Sequence, residues 1–290
     1  MRALVLSGGA VKGAYQIGVL LKWMGEEGRD YDIMCGVSVG ALNVAGLSQV
    51  PVGRPQEAID YMHRFWLERV DTSAIYKRWC PFGRLHALWK KSVYNSKPLQ
   101  DLVRSSFEVE KTRASGRRVA VGATCLDTGE HRYALETEDN FVEWVLASSS
   151  YPIFLEPISI DGKLWSDGGI RSVTPLAQAI RMGAAEIDVV MCSNPDVDND
   201  WDNNKGKCAI PDQVVRVLDL MSDQIMRADL QIVGLKNEEA DLPDRYRHVK
   251  IRVVQPKREL VANSLEFNPS EIRAMIEQGY RDADSAVVYG

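Results

Sequence analysis

Apolar residues fall in short runs broken by glycine-rich turns, and these runs alternate with stretches whose apolar positions recur at helical spacing. Arg2-Ala3-Leu4-Val5-Leu6 reads as a first strand. Ala14, Ile17, Val19, Leu20, Leu21 and Trp23 give broad apolar cover to a helix behind it. Tyr31-Asp32-Ile33-Met34-Cys35 reads as a second buried strand, and Val39 to Leu47 as the helix that follows. The pattern then predicts strands over Arg117 to Asp127 and His131 to Leu135, and a helix over Phe141 to Ser148. Ile158-Ser159-Ile160 and Lys163-Leu164-Trp165 flank Asp161-Gly162, a pair suited to a type I′ hairpin. A helix over Pro175 to Met182 and a strand over Ile187 to Cys192 come next. A long helix over Val214 to Asn237, a strand over Tyr246 to Val254 and a helix over Pro269 to Ala286, begun by Asn268 or the adjacent proline, close the chain. This alternation predicts an α/β protein built as a three-layer α/β/α sandwich.

Three turns in this pattern carry chemistry. Gly36-Val37-Ser38-Val39-Gly40 is a G-x-S-x-G between the second strand and its helix. It matches a nucleophile elbow, where the turn is too sharp for a side chain at either flank and the serine is held at the edge of a sheet. Ser7-Gly8-Gly9-Ala10-Val11-Lys12-Gly13 follows the first strand and opens a helix. Its unpaired backbone N–H groups converge as an anion cradle. Leu164-Trp165-Ser166-Asp167-Gly168-Gly169 holds an aspartate at a tight turn after a short strand. A serine, an N–H cradle and a separately delivered carboxylate are three parts that acyl transfer needs.

In order and spacing, these segments resemble the patatin-like phospholipase family, with its glycine-rich oxyanion loop, G-x-S-x-G serine and D-G-G or D-G-A aspartate. Gly8 through Leu20, Ala147-Ser148-Ser149-Ser150-Tyr151-Pro152-Ile153-Phe154-Leu155-Glu156-Pro157, Asp167 through Leu176, and Ala184-Ala185-Glu186-Ile187 also follow the family. The resemblance spans residues 2–193. It implies a mostly parallel central sheet and a phospholipase A or lysophospholipase type of activity on lipid esters, through a catalytic dyad of Ser38 and Asp167. It also implies an oxyanion hole of backbone N–H groups from Gly8, Gly9 and Ala10, with Lys12, Gly13, Gly36, Gly40, Gly168 and Gly169 as supporting motif residues. Ala10 stands where the family usually has a third glycine, a change that keeps the backbone N–H. No metal and no cofactor enter this chemistry.

Composition narrows the setting. The 290 residues, 45% of them hydrophobic, suffice for a large core in one domain, with a helix-strand-helix extension over 211–286 beyond the family motifs. Met1-Arg2-Ala3-Leu4 enters the first strand without a signal-peptide pattern, and no run nears the ~18 apolar residues of a membrane span. Cys35, Cys80, Cys125, Cys192 and Cys208 are odd in number with no C-x-x-C, which suits free thiols in a reducing compartment. The location expected is cytoplasmic, with peripheral contact at the inner face of a membrane. A net charge of −5 argues against a nucleic-acid partner.

Membrane contact is expected of Tyr76 to Tyr94, where Lys77, Arg78, Arg84, Lys90 and Lys91 interleave with Tyr76, Trp79, Phe82, Leu85, Leu88 and Trp89. A cap over the site with solvated charges is the other reading of this stretch. Asp196, Asp198, Asp200 and Asp202 resemble a calcium loop only in part, because Asn203 and Ala209 stand where a glycine and a glutamate are required. An α/β-hydrolase triad would use Ser38, an aspartate and a histidine such as His248, but that fold places its elbow after several strands. His63, His86 and His131 neighbour no motif either. Gly8-x-Ala10-x-x-Gly13 is a weak dinucleotide signal without its ribose-binding acid, since the second strand ends in Cys35 and Gly36. A non-hydrolytic lipid- or nucleotide-binding protein would not need Ser38 and Asp167 together.

Overall fold

The computed structural model describes residues 1–79, 91–194 and 249–289 except 262, with individual residues of a helix between 213 and 231. The strands are β1 (Arg2–Leu6), β2 (Ile33–Val37), β3 (Lys77–Arg78), β4 (Tyr94–Asn95), β5 (Arg118–Cys125), β6 (His131–Leu135), β7 (Ile158–Ile160), β8 (Lys163–Asp167), β9 (Glu186–Val190), β10 (Lys250–Val254) and β11 (Val287–Tyr289). The helices are α1 (Gly13–Leu20), α2 (Val39–Leu47), α3 (Pro55–Arg69), α4 (Thr72–Ile75), α5 (Lys97–Ser106), α6 (Val109–Ala114), α7 (Phe141–Ser148), α8 (Leu176–Arg181) and α9 (Pro269–Asp282).

Nine of the described strands form one sheet in the order β11-β10-β9-β1-β2-β5-β8-β7, with β6 also on β5, while β3 and β4 make a separate ribbon. The run from β10 to β5 is parallel throughout, and the pairings at its margins are antiparallel. Side chains alternate across this sheet as strand geometry requires. Ala3, Val5, Ile33 and Cys35 join α8 in one core, whereas Leu4, Leu6 and Met34 join α1, α2, α3, α5, α7 and α9 in a larger one. Both faces are therefore covered, which is why the central strands read as unbroken apolar runs. The three layers expected from the sequence are present.

Chain order along the sheet reverses at β1, which lies between β2 and β9. Such a switch point leaves a crevice at the carboxyl ends of its strands. Both the Gly8-Gly9 turn and Ser38 leave the sheet there. The hairpin expected at Asp161-Gly162 forms, with φ of 51° and 76° at its two central residues. Some boundaries differ: the second strand runs on to Val37, so Gly36 lies within it, and the strand read as ending at Cys192 stops at Val190. The predicted helix over 214–237 and strand over 246–254 fall partly outside the described residues. Within these stretches the described residues of 213–231 are helical, and Lys250–Val254 pairs with β9 in parallel.

The last helix packs on the first. Asn268 caps α9 by accepting from Ser270 N–H, with Pro269 in the first turn. Its crossing with α1 is close because each helix has a glycine at the contact. A Cβ on Gly18 would lie 1.9 Å from Ile276 O, and one on Gly279 would lie 2.1 Å from Tyr15 O. Tyr15 donates to Asp282 beside this crossing, and Trp23 Nε1 donates to Ala283 O. Alanine normally stabilises a helix interior relative to glycine by ~1 kcal/mol. Here Gly279→Ala is expected to destabilise, by roughly 1–3 kcal/mol, because the methyl group has no space. Urea denaturation read by circular dichroism checks the sign; a gain in stability would mean that the helices can separate freely.

Candidate active site

Ser38 and Asp167 meet along one flank of β5. On the far flank β6 pairs with residues 120–124. On theirs, β2 pairs with residues 118–122 and ends at Val37 opposite Gly122. β8 takes up that same flank antiparallel, with Asp167 opposite Ala123. The carboxyl ends of β2 and β8 thus run head-on into one another along one edge. Ser38 follows the first, and Asp167 terminates the second.

The elbow is tight. Ser38 sits at φ 56° and ψ −127°, a conformation that L residues hold only under constraint. A Cβ on Gly36 would lie 2.3 Å from Gly40 O, and one on Gly40 would lie 2.2 Å from Leu6 O. No side chain fits at either flank. Ser38 N–H donates to Ser148 Oγ at 3.0 Å, and Ser149 Oγ donates to Ser38 O at 3.3 Å. The next residue, Ser150, accepts through its carbonyl from Asp167 N–H at 3.1 Å and from Ser166 Oγ at 2.7 Å. Three consecutive serines at the end of α7 therefore fix both halves of the pair. Their sequence gave no sign of this, since serine in a last helical turn resembles an ordinary cap.

Ser38 Oγ donates to Asp167 Oδ2 at 2.6 Å, with no imidazole between them. Gly169 N–H donates to Asp167 Oδ1 at 2.8 Å. Asp167 is 3% exposed and Ser38 7%. Burial pushes the Asp167 carboxyl up to about 7, and the two hydrogen bonds oppose that rise without cancelling it. A carboxyl raised in this way can take a proton near neutral pH, as a general base must.

The glycine-rich turn lies against the elbow: a Cβ on Gly8 would be 3.2 Å from Ser38 Cβ. The three expected N–H donors are not equivalent. Gly8 N–H already donates to Val173 O at 3.2 Å, because residue 173 crosses beside the turn. The N–H groups of Gly9 and Ala10 have no acceptor among the described residues. Ala10 holds φ 49°, the left-handed region that glycine enters without strain. Gly13 begins α1, where its carbonyl accepts from Asn43 Nδ2 at 3.1 Å. Gln16 ties the turn to the elbow helix, donating to Ser7 O at 2.9 Å while accepting from Asn43 at 2.8 Å.

Two cavities share Ser38. One, a narrow cavity of about 60 Å³, is walled almost wholly by apolar side chains, among them residues of α2, α3 and α5 with Leu265 and Phe267. The other, about 250 Å³, is more polar and includes Lys12, Asp167 and Ser193 in its walls. Ile170 and Met221 line this second cavity and are exposed at its rim. Tyr76, stacked on Tyr94 at 4.2 Å, lines the apolar cavity, so the ends of the basic, aromatic stretch adjoin the site. Residues 80–90 of that stretch, Lys90 among them, lie outside the described residues, as do the aspartates of 196–202, Cys80, Cys208, His86 and His248.

The remaining candidates stand apart from this chemistry. His131 contacts Thr124 Oγ1 at 3.2 Å, and burial followed by the Arg171 charge pushes its imidazole down to about 4. Cys35 packs in the core on the sheet's other face, donating to Met182 Sδ at 3.7 Å, and burial holds its thiol well above the ordinary range. Among the described residues, no group of three or more His, Cys, Asp or Glu side chains is arranged to hold a metal. No described helix is long and apolar enough to cross a membrane.

A family model described as patatin-like phospholipase matches residues 4–180. The uncharacterized protein YjjU of Escherichia coli strain K12 is 30% identical over 192 residues, covering 65% of this chain and 51% of that protein. The chain thus spans about half the length of that curated relative. Among solved structures, VipD from Legionella pneumophila aligns with a TM-score of 0.48 and 13% identity, over 99% of this chain and 68% of that one.

The elevated Asp167 carboxyl has a consequence for stability. Unfolded, an aspartate titrates near ~4. Between about 4 and about 7 the folded protein holds a proton there that the unfolded chain has lost, so this group's contribution falls as pH rises across that window. Asp167→Asn removes the buried charge. It is expected to raise the melting temperature at pH 8 relative to wild type and to narrow that difference at pH 5. Equal melting-temperature differences at both pH values would show that Asp167 titrates normally.

Proposed function

This chain belongs to the patatin-like phospholipase family, and we propose that it is a serine acyl hydrolase releasing fatty acid from lipid esters through a dyad of Ser38 and Asp167. The observation that carries this reading is the direct 2.6 Å hydrogen bond between the two side chains at the sheet's switch point. In the first half-reaction Ser38 Oγ attacks the ester carbonyl as Asp167 takes the hydroxyl proton. The tetrahedral oxyanion accepts from the N–H groups of Gly9 and Ala10, each such donor contributing on the order of 10²–10³ in kcat. Collapse breaks the ester C–O bond, and Asp167 returns the proton to the departing alcohol. Water then attacks the acyl-enzyme with Asp167 again as base, freeing the fatty acid.

Gly8 is a structural member of the cradle in this scheme, since its N–H is engaged by Val173. Lys12, in the wall of the polar cavity, supplies positive charge beside the departing group. The rim residues Ile170 and Met221, 38% and 56% exposed, suit contact with lipid, as do the exposed cations Lys77, Arg78 and Lys91 on either side of residues 80–90. On this reading the protein works at a membrane surface.

Three measurements follow. A fluorophosphonate is expected to label Ser38, and Ser38→Ala to abolish labelling and to reduce p-nitrophenyl butyrate hydrolysis by on the order of 10⁴-fold. Persistent labelling in Ser38→Ala removes the serine from the mechanism. With wild type, kcat/KM should rise with pH to a plateau above about 7, because only the Asp167 carboxylate accepts the proton. A rate independent of pH from 5 to 8 contradicts its role as base. Finally, reversing Lys77 and Lys91 to Glu should lower hydrolysis of anionic vesicles by roughly 30-fold while sparing the soluble ester, with the gap closing in high salt. Equal loss on both substrates would assign this stretch to the cap alone.

A further inference from the structure

We propose that the apolar cavity is a ruler for a single acyl chain of about ten carbons, its far end set by Met62 and Phe107; this rests on the acyl-hydrolase reading of Ser38. The cavity begins at Ser38 and Ala10 and follows one face of α2 past Leu42 and Asn43. Asn43 is the last residue of α2 in the wall, and one turn on, at Gly46, the wall residues Met62 and Phe107 pack against the helix: a Cβ on Gly46 would lie 2.1 Å from Met62 Sδ and 3.2 Å from Phe107 Cε1. Phe107 packs against Phe65, another wall residue, with ring centroids 5.9 Å apart, and Phe65 against Tyr61 at 6.4 Å. Met62 is fully buried. From Ser38 to Gly46 is eight residues, or ~12 Å of helix at 1.5 Å per residue. An extended chain of single bonds advances ~3.5 Å for every three bonds. The span therefore takes about ten.

The lining selects hydrocarbon. Asn43 is the one amide in the wall, and its polar atoms are already engaged: Nδ2 donates to Gly13 O and Gln16 Oε1, and Oδ1 accepts from Trp66 Nε1 at 2.8 Å. A headgroup placed here would lose its hydration with few partners in return. The polar cavity on the other side of Ser38, with Lys12 and Ser193 in its wall, is where a leaving alcohol with its headgroup fits. The scissile carbonyl then lies where the two cavities meet. Only the acyl side of the ester is measured.

The test is a p-nitrophenyl ester series from acetate to palmitate. For wild type, kcat/KM should climb by about fourfold per methylene, the worth of burying each one, up to about ten carbons and then fall. Phe107→Ala should move that break to longer chains, and Val103→Phe should move it to shorter ones, Val103 being another wall residue. A series without a break, or a break that both folded variants leave in place, overturns the ruler. Titration of octanoate, decanoate and palmitate into the Ser38→Ala protein by calorimetry reads the same cavity without turnover. Affinity should increase to decanoate and drop for palmitate; affinity rising steadily to palmitate overturns the ruler as well. Absence of ester turnover by wild type, with this length-dependent binding intact, would instead refute the hydrolase reading and leave the cavity as a fatty-acid site.

Discussion

A carboxylate that has lost nearly all of its water must be held 2.6 Å from a hydroxyl, and much of the architecture follows from that demand. Side chains on flexible loops would not hold such a pair, because desolvation drives a lone carboxylate back toward water or toward protonation. Here the constraint is met by strand ends. β5 serves as a common template on which β2 and β8 arrive from opposite directions, so the separation of Ser38 and Asp167 is set by hydrogen-bond register. The serines at 148–150 then fix the two backbones from the side. The cost is visible in the strained backbone of Ser38 and in the raised carboxyl, both of which destabilise the folded state locally.

Much of this was legible in the chain, for identifiable reasons. Glycines around a sharp turn leave a local signature, so the elbow at Gly36 to Gly40 and the type I′ hairpin at Asp161-Gly162 could be read from a few residues each. Buried parallel strands also declare themselves as apolar runs. Relations across the sheet were less visible. Nothing in residues 147–150 says that their side chains reach the elbow, and nothing local to Gly8 says that Val173 engages its N–H. Both depend on partners between about 110 and 165 residues away in sequence. The apolar cavity was hidden for the same reason. Its walls come from α2, α3, α5 and residues near 265, which are far apart in sequence, and only their convergence leaves space between them.

The two cavities also divide the chemistry of an amphiphile. An ester linking a hydrocarbon chain to a polar alcohol has its reacting carbon at the boundary between two solvents. The site reproduces that boundary, with a dry wall on one side of Ser38 and Lys12 with Asp167 on the other. In the proposed reaction, binding positions the carbonyl by partitioning, before any specific contact to the reacting atoms is made. The cradle needs only to recognise the oxyanion as it forms.

The close crossing of α1 and α9 bears on how the molecule can be divided. Every chemical motif lies before residue 194, and the family model ends at 180. Yet the cradle's own helix is backed by α9, and Val11 N–H, inside the cradle turn, donates to Ser264 O. A chain cut after residue 194 would retain each signature residue and expose the glycine-lined flank of α1 to water. In such a fragment the motifs would be intact while the cradle could drift relative to the elbow. Sequence identity across the motif region therefore marks the reactive groups, and the terminal helix decides whether they stay aligned.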